Sequence, residues 1–206
     1  MNNLLNLLFP EKCLFCGFTG SIFCPNCLSL CPRLKESKFY VGDLPVVSCF
    51  SYEGIVRKCI KLSKFSSKQF LALKRLTGYG LSLSDSFSSG IVVPIPLSKK
   101  RLRERGFNQA EIIAKLFSQK YKLPIDAKIL VRSKITSHQY GLSKSQRHKN
   151  LCGAFEVRGK VSGMNIILID DICTTGSTLL EAAKVFKAAG ASDVAAFTLC
   201  RRIFKV

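Results

Sequence analysis

Acidic residues are scarce in this sequence: 13 Asp and Glu stand against 32 Lys and Arg, a formal charge of +19. A surface so short of carboxylates attracts phosphates in general, nucleic acid included, and raises encounter rates more than it selects a partner. Histidine is scarcer still. His138 and His148 lie in polar, basic surroundings with no second metal-type ligand beside either, and both read as solvated residues. Long apolar runs are missing too. The apolar start of the chain ends at Pro10, too short to span a bilayer and without the basic flank of a secretory signal. Leu4, Leu7 and Leu8 share one helical face, which predicts a short helix docked on the body and no stable membrane insertion. No internal repeat, no low-complexity stretch and no G-x-x-x-x-G-K-[ST] occurs, and the last absence excludes a P-loop.

What is plentiful is cysteine, ten in 206 residues. With no sign of secretion the chain is expected in the cytoplasm, where paired thiols point to metal rather than disulfides. Cys13-x-x-Cys16 and Cys24-x-x-Cys27 are two knuckles separated by seven residues that include Gly17 and Gly20. Two such turns give four thiolates around one tetrahedral ion with no open position, so the expected metal is a structural Zn²⁺. A segment this small needs such a staple to fold. Cys31 is an alternate ligand or a small buried residue, and Cys49, Cys59, Cys152 and Cys200 read as buried residues. A redox pair is disfavoured because no βαβ unit precedes the knuckles. The expected organisation is an N-terminal helix and zinc ribbon over 1–44 and one larger domain over 45–206, with the mixed-charge segment 32–44 as the connection.

The larger part reads as α/β. Expected strands are Val46 to Tyr52, Ile91 to Pro96, Ile129 to Val131, Asn165 to Ile169 and Asp193 to Leu199. Between them lie helical patterns: Gly54 to Lys64; Gln69 to Leu83, interrupted at Gly78 and Gly80; one opening at Asn108 with Glu111 in capping-box spacing; and Gly176 to Ala189. Ser133 to Ser143 reads as a polar loop, followed by a capping signal at Ser143 and Gln146. Strands alternating with helices imply crossovers and a mostly parallel sheet covered on both faces.

The segment Asn165 to Thr178 carries the chemistry. A continuous apolar strand ends in Asp170 and Asp171; Cys173, Thr174, Thr175, Gly176, Ser177 and Thr178 then lead into a helix. Ligands of open α/β sheets bind at the carboxyl ends of strands, where the acidic pair can accept hydrogen bonds from a sugar diol. The helix N-terminus that follows suits a phosphate, Gly176 permits close approach, and the hydroxyls add donors. Diol acceptors beside a phosphate cradle describe a pentose 5-phosphate. A strand-turn-helix with merely capping hydroxyls leaves the two acidic residues unexplained. Cys173, just ahead of a helix N-terminus in a basic chain, is expected to have a lowered pKa.

Ile166 to Thr178 resembles the phosphoribosyl pyrophosphate (PRPP) motif of type I phosphoribosyltransferases. Most of the chain, from about Leu8 to Arg202, resembles one branch of these, the competence protein F (ComF/GntX) family. The matching blocks are the cysteine pairs, Tyr52-Glu53-Gly54, Val93-Pro94-Ile95-Pro96, Arg105-Gly106-Phe107-Asn108-Gln109, and Gln139 followed by Arg147, Asn150 and Ala154-Phe155. The resemblance implies a type I phosphoribosyltransferase-like sheet, Asp170 and Asp171 on the ribose hydroxyls, and Thr174 to Thr178 on the 5-phosphate. It also implies that the turn after Pro96 lies near the pyrophosphate, with Mg²⁺ as its counter-ion. Where that family shows a Leu-Lys-Phe-like run, this chain has Leu62-Ser63-Lys64-Phe65.

Charge is concentrated between Lys99 and Asn150, where 14 Lys or Arg face Glu104, Glu111 and Asp126. Lys99, Lys100, Arg101, Arg103 and Arg105 lie on the same sheet edge as the expected sugar phosphate and can serve a pyrophosphate or a nucleic-acid backbone, or form a solvated turn. Phe107 and Tyr140 are candidates for stacking bases. Two functions follow. The resemblance implies an accessory protein of DNA uptake that binds PRPP or a related sugar phosphate and handles single-stranded DNA or a DNA-uptake motor protein. The alternative is a catalytic phosphoribosyltransferase moving the phosphoribosyl group from PRPP to an acceptor base, for which the Ser133 to Ser143 loop shows no base-reading set.

Overall fold

The structure, a computed structural model, describes residues 11–64, 67–84, 87–133 and 153–203. The expected N-terminal helix, Cys152, both histidines, Tyr140, most of the Ser133 to Ser143 loop, the Ser143 and Gln146 capping signal, Gln139, Arg147 and Asn150 lie outside them.

The main sheet is ordered β1-β2-β7-β6-β3, formed by β1 (Lys38–Val41), β2 (Leu44–Ser51), β3 (Ile91–Pro94), β6 (Asn165–Cys173) and β7 (Asp193–Arg201). All its pairings are parallel except β1 with β2. Alternate residues of β6 feed two cores, because successive strand side chains point to opposite faces. Ile167 and Ile169 join Phe197 beneath Ile113 and Phe117 of α5 (Gln109–Tyr121), with α2 (Gly54–Leu62) and α3 (Ser67–Ser82) alongside. Ile166 and Leu168 face Ala182 and Phe186 of α6 (Ser177–Ala188) on the other side. A separate antiparallel pair, β4 (Leu130–Arg132) and β5 (Phe155–Val157), closes that second core.

Several expectations are corrected. The segment 32–44 is more than a connection: it contributes β1, the antiparallel edge of the main sheet. The α3 helix runs unbroken through Gly78 and Gly80. A Cβ on Gly80 would stand 2.9 Å from the Phe50 ring and 3.1 Å from Leu199, so this glycine serves close helix-sheet contact rather than a break. Lys99 to Arg105 is a helix, α4 (Lys99–Arg105), capped by the Ser98 hydroxyl and ended by Gly106 at φ 76°. The β6 strand extends to Cys173, four residues beyond the apolar run, so the acidic pair sits within the strand. The strand β5 has no counterpart among the elements expected from the sequence.

The ribbon rests on the main body. Helix α1 (Pro25–Ser29) starts inside the second knuckle, with Cys24 as its N-cap and Cys27 within it. Cys13, Phe23, Cys24, Cys27 and Cys31 share one buried core with Cys59 and Ile60 of α2. Phe15 meets Phe23 at 4.4 Å between ring centroids and carries the Lys58 ammonium over its face at 5.7 Å. No described helix is long and apolar enough to cross a membrane.

Candidate functional site

The sulfur atoms of Cys13, Cys16, Cys24 and Cys27 all lie within 4.8 Å of one another, with Cys16 and Cys24 at 3.6 Å. Four thiolates on a tetrahedral Zn²⁺ stand about 3.8 Å apart, given Zn–S bonds of about 2.3 Å, so these side chains are already grouped close to the spacing such an ion needs. They could hold a metal such as zinc. Cys31 is outside the cluster: its thiol donates to the Cys27 carbonyl at 3.6 Å, and burial pushes its pKa up to about 11.

The acidic pair occupies the carboxyl end of β6, between β7 and β3. Asp171 is buried and its Oδ2 meets the Lys64 ammonium at 3.5 Å, while its carbonyl accepts the Cys200 thiol at 3.4 Å. Asp170 turns a carboxylate oxygen back onto the Asp171 N–H at 2.8 Å. Burial, and then the Asp171 charge, hold the Asp170 pKa well above the ordinary range. Two carboxylates crowded this way favour one proton between them or a cation beside them.

Cations are supplied by three elements. Lys64 follows α2; Arg105 ends α4, and its pKa is lowered by burial and by Arg101 but supported by Asp171. Arg132, on β4, is likewise lowered by burial and by Arg101 and supported by Asp170. On α4, Lys99, Lys100 and Arg103 are exposed, whereas Arg101 and Arg105 are partly buried. The helix therefore divides into an outward cationic face and one directed toward the acidic pair.

Thr174 is exposed, and Thr175 and Ser177 join their hydroxyls at 2.9 Å. Gly176 is the N-cap of α6 at φ 75° and ψ 0° and has no side chain to offer, but Thr175 Oγ1 accepts the Ser177 N–H at 3.4 Å. An anion here would meet the N–H groups beyond Ser177 and the positive end of the helix dipole. Gly176 is obligatory here, since a Cβ would overlap Val41 of β1. Cys173 departs from expectation. Its side chain is buried in the core under α6, and that burial, reinforced by Asp170, raises its pKa to about 11. Desolvation outweighs the helix terminus.

The two blocks flanking the basic helix also fall into place. Asn108 caps α5, with its Oδ1 accepting from the Ala110 N–H at 3.1 Å, and donates its amide to the Ile95 carbonyl at 2.9 Å. That bond ties the start of α5 to the turn after β3. Lys64 and Arg132 are neighbours of the acidic pair that sequence reasoning misses. The Lys64 signal lies in the Leu62-Ser63-Lys64-Phe65 run; for Arg132 the sequence offers none, since only the β4–β5 pairing brings it here.

Residues 102–205 match the family model for the phosphoribosyl transferase domain. Over 198 residues the chain is 31% identical to competence protein ComFC of Bacillus subtilis (strain 168), covering 92% of this chain and 77% of that one. It is 30% identical over 198 residues to DNA utilization protein YhgH of Escherichia coli (strain K12), covering 93% and 84%. A solved hypoxanthine phosphoribosyltransferase from Staphylococcus aureus is similar at a TM-score of 0.40 and 14% identity, covering 65% of this chain and 67% of that one, too loosely to transfer residue roles. The chain belongs to the competence protein F family, with a phosphoribosyl transferase domain behind its four-cysteine cluster.

Proposed function

We propose that this protein binds PRPP or a closely related ribose 5-phosphate and handles single-stranded DNA as a competence-type accessory factor, with its ribbon held by a structural Zn²⁺. The observation that carries the sugar-phosphate part is the juxtaposition at the end of β6. Asp170 and Asp171 stand one short loop from the N-terminus of α6, with Lys64, Arg105 and Arg132 around them. A ribose diol pairs with the carboxylates, the 5-phosphate with the Thr174 to Thr178 backbone and hydroxyls, and a pyrophosphate with the cations. The oxygen donors of the pair also suit a hard Mg²⁺ carried by the pyrophosphate.

The DNA-handling part rests on the outward face of α4, where Lys99, Lys100 and Arg103 are exposed, and on the names of the relatives, one called a competence protein and one a DNA utilization protein. Fold alone does not decide whether transfer chemistry accompanies binding. The test is calorimetric titration of the full chain with PRPP, followed by a screen for pyrophosphate release over nucleobases. Saturable binding without release is the expected result. Absence of binding refutes the sugar-phosphate reading, and release with any base replaces the accessory role by the transferase one.

A further inference from the structure

Two adjacent carboxylates and a pyrophosphate are all anionic, and bringing them together in a partly buried site requires cations between them. A divalent ion that travels with the ligand is one source. The chain contains another. Lys64 already lies against Asp171, with its ammonium 3.5 Å from Oδ2 and only 22% of its side chain exposed.

The backbone from which Lys64 projects is fastened at Ser63, the residue before it. Ser63 is fully buried at the end of α2, its N–H donating to the Cys59 carbonyl at 2.9 Å and its hydroxyl to the Ile60 carbonyl at 3.0 Å. Its own carbonyl accepts the amide of Gln109 at 3.5 Å. Gln109 is 2% exposed, an unusual place for a glutamine, and both ends of its amide are used. The Oε1 atom accepts Arg105 Nη1 at 3.3 Å, so one side chain joins the last residue of α4 to the residue before Lys64. A lysine tail is otherwise free to swing through solvent at considerable entropic cost when it is fixed. Here that cost is met during folding, and the ammonium is preorganised on the acidic pair.

We propose that Lys64 is a resident counter-ion of the acidic pair, held in place through Gln109, which lets the site take a pyrophosphorylated sugar without a divalent cation. The proposal rests on the sugar-phosphate reading above and deepens it. When the ligand enters, the ammonium lies between Asp171 and the incoming phosphate oxygens and touches both. A divalent ion, where present, competes with Lys64 for the same carboxylate and so adds little.

The experiment is calorimetric titration of PRPP into the full chain in excess magnesium and, separately, in chelator of divalent ions that spares tightly held zinc. Three proteins are compared: wild type, Lys64→Met, which keeps the apolar stem and drops the charge, and Lys64→Arg, which keeps the charge. The wild-type Kd is expected to change by no more than about threefold between the two conditions. Lys64→Met is expected to lose about tenfold or more in chelator and to recover most of it in magnesium, while Lys64→Arg stays close to wild type in both. A wild type that binds only with magnesium overturns the proposal, and this comparison stands even if the methionine variant fails to fold. Equal loss by Lys64→Met in both conditions, or no loss in chelator, overturns it as well. Failure of the wild type to bind in either condition overturns the underlying sugar-phosphate reading and the proposal with it.

Discussion

Val41 of the edge strand packs directly on Gly176 of the loop before α6, so closely that a methyl group on the glycine would overlap the valine Cγ1. The hairpin β1–β2 thereby fixes the entry to α6 from across the sheet. Gly176 also has φ 75°, a conformation costly to any residue with a Cβ. Gly176→Ala is expected to lose about 2–4 kcal/mol, with about 1 from the backbone and the rest from overpacking. Val41→Ala in the same chain should return the overpacking share and leave the backbone share. Urea denaturation of the two single variants and the double variant measures both parts, and strict additivity would show that the two residues do not interact.

The cysteine cluster should contain about one Zn²⁺ per chain. Cys13, Cys24 and Cys27 share a core with Cys59 and Ile60, so removing the metal reaches further than the ribbon. Strong chelation is expected to strip hydrogen-exchange protection from the ribbon and weaken it in α2, while amides of β6 and β7 keep theirs. Cys31→Ala should retain the full metal content, and Cys16→Ser should not. Metal analysis of both variants checks this, and a full complement in Cys16→Ser would refute the assignment.

Cys173 should be among the slowest thiols to alkylate. At pH 8 a thiol with a pKa of about 11 is only about one part in a thousand thiolate, and here it is buried as well. Its labelling, followed by peptide mass spectrometry, is expected to be negligible in the folded chain with or without PRPP. Rapid, ligand-sensitive labelling would show that the loop opens to solvent.

Asp171→Ala and a change on α4 should separate the two proposed binding activities. The first is expected to weaken PRPP by about 1.5–3 kcal/mol, the usual worth of a charge-assisted hydrogen bond, and to leave single-stranded DNA affinity equal or slightly higher. Replacing the exposed Lys99, Lys100 and Arg103 together by Ala should do the opposite. DNA affinity falls, and the slope of log affinity against log salt shrinks by about 0.7 for each phosphate no longer neutralised. An unchanged salt slope would make the outer face of α4 a solvated surface and nothing more.

Asp170 should make stability depend on pH. Its carboxyl is raised well above its free value of 3.8 by burial and by Asp171, so the native state holds this proton more tightly than the unfolded chain does. The resulting stabilisation is complete below about pH 4, where both states are protonated, and is lost as pH rises through the native pKa. Asp170→Asn cannot ionise and is therefore expected to be more stable than wild type at neutral pH, with the gap closing on acidification. Urea midpoints across that pH range test the sign. A variant less stable than wild type at pH 7 would contradict it.

The parts whose signals are local were legible from the order of residues. The apolar run Ile166 to Ile169 ending in two aspartates could only be a buried strand delivering carboxylates to a sheet edge. The hydroxyl-rich turn with Gly176 announced the helix, Asn108 announced its own cap, and the spacing of Cys13, Cys16, Cys24 and Cys27 brought four sulfurs together, as observed. Tertiary structure decided what depends on neighbours distant in sequence. Lys38 to Val41 is too short to read as a strand by itself, and becomes one because β2 offers a free edge. Gly78 and Gly80 look like helix breakers, yet Phe50 and Leu199 press so near Gly80 that the glycine is needed for packing. Cys173 sits where a helix terminus should activate a thiol, but the core under α6 removes it from water, and desolvation prevails. Lys64 and Arg132 reach the acidic pair from elements far along the chain, because electrostatic partners are set by distance in space, and only the packed fold fixes that distance.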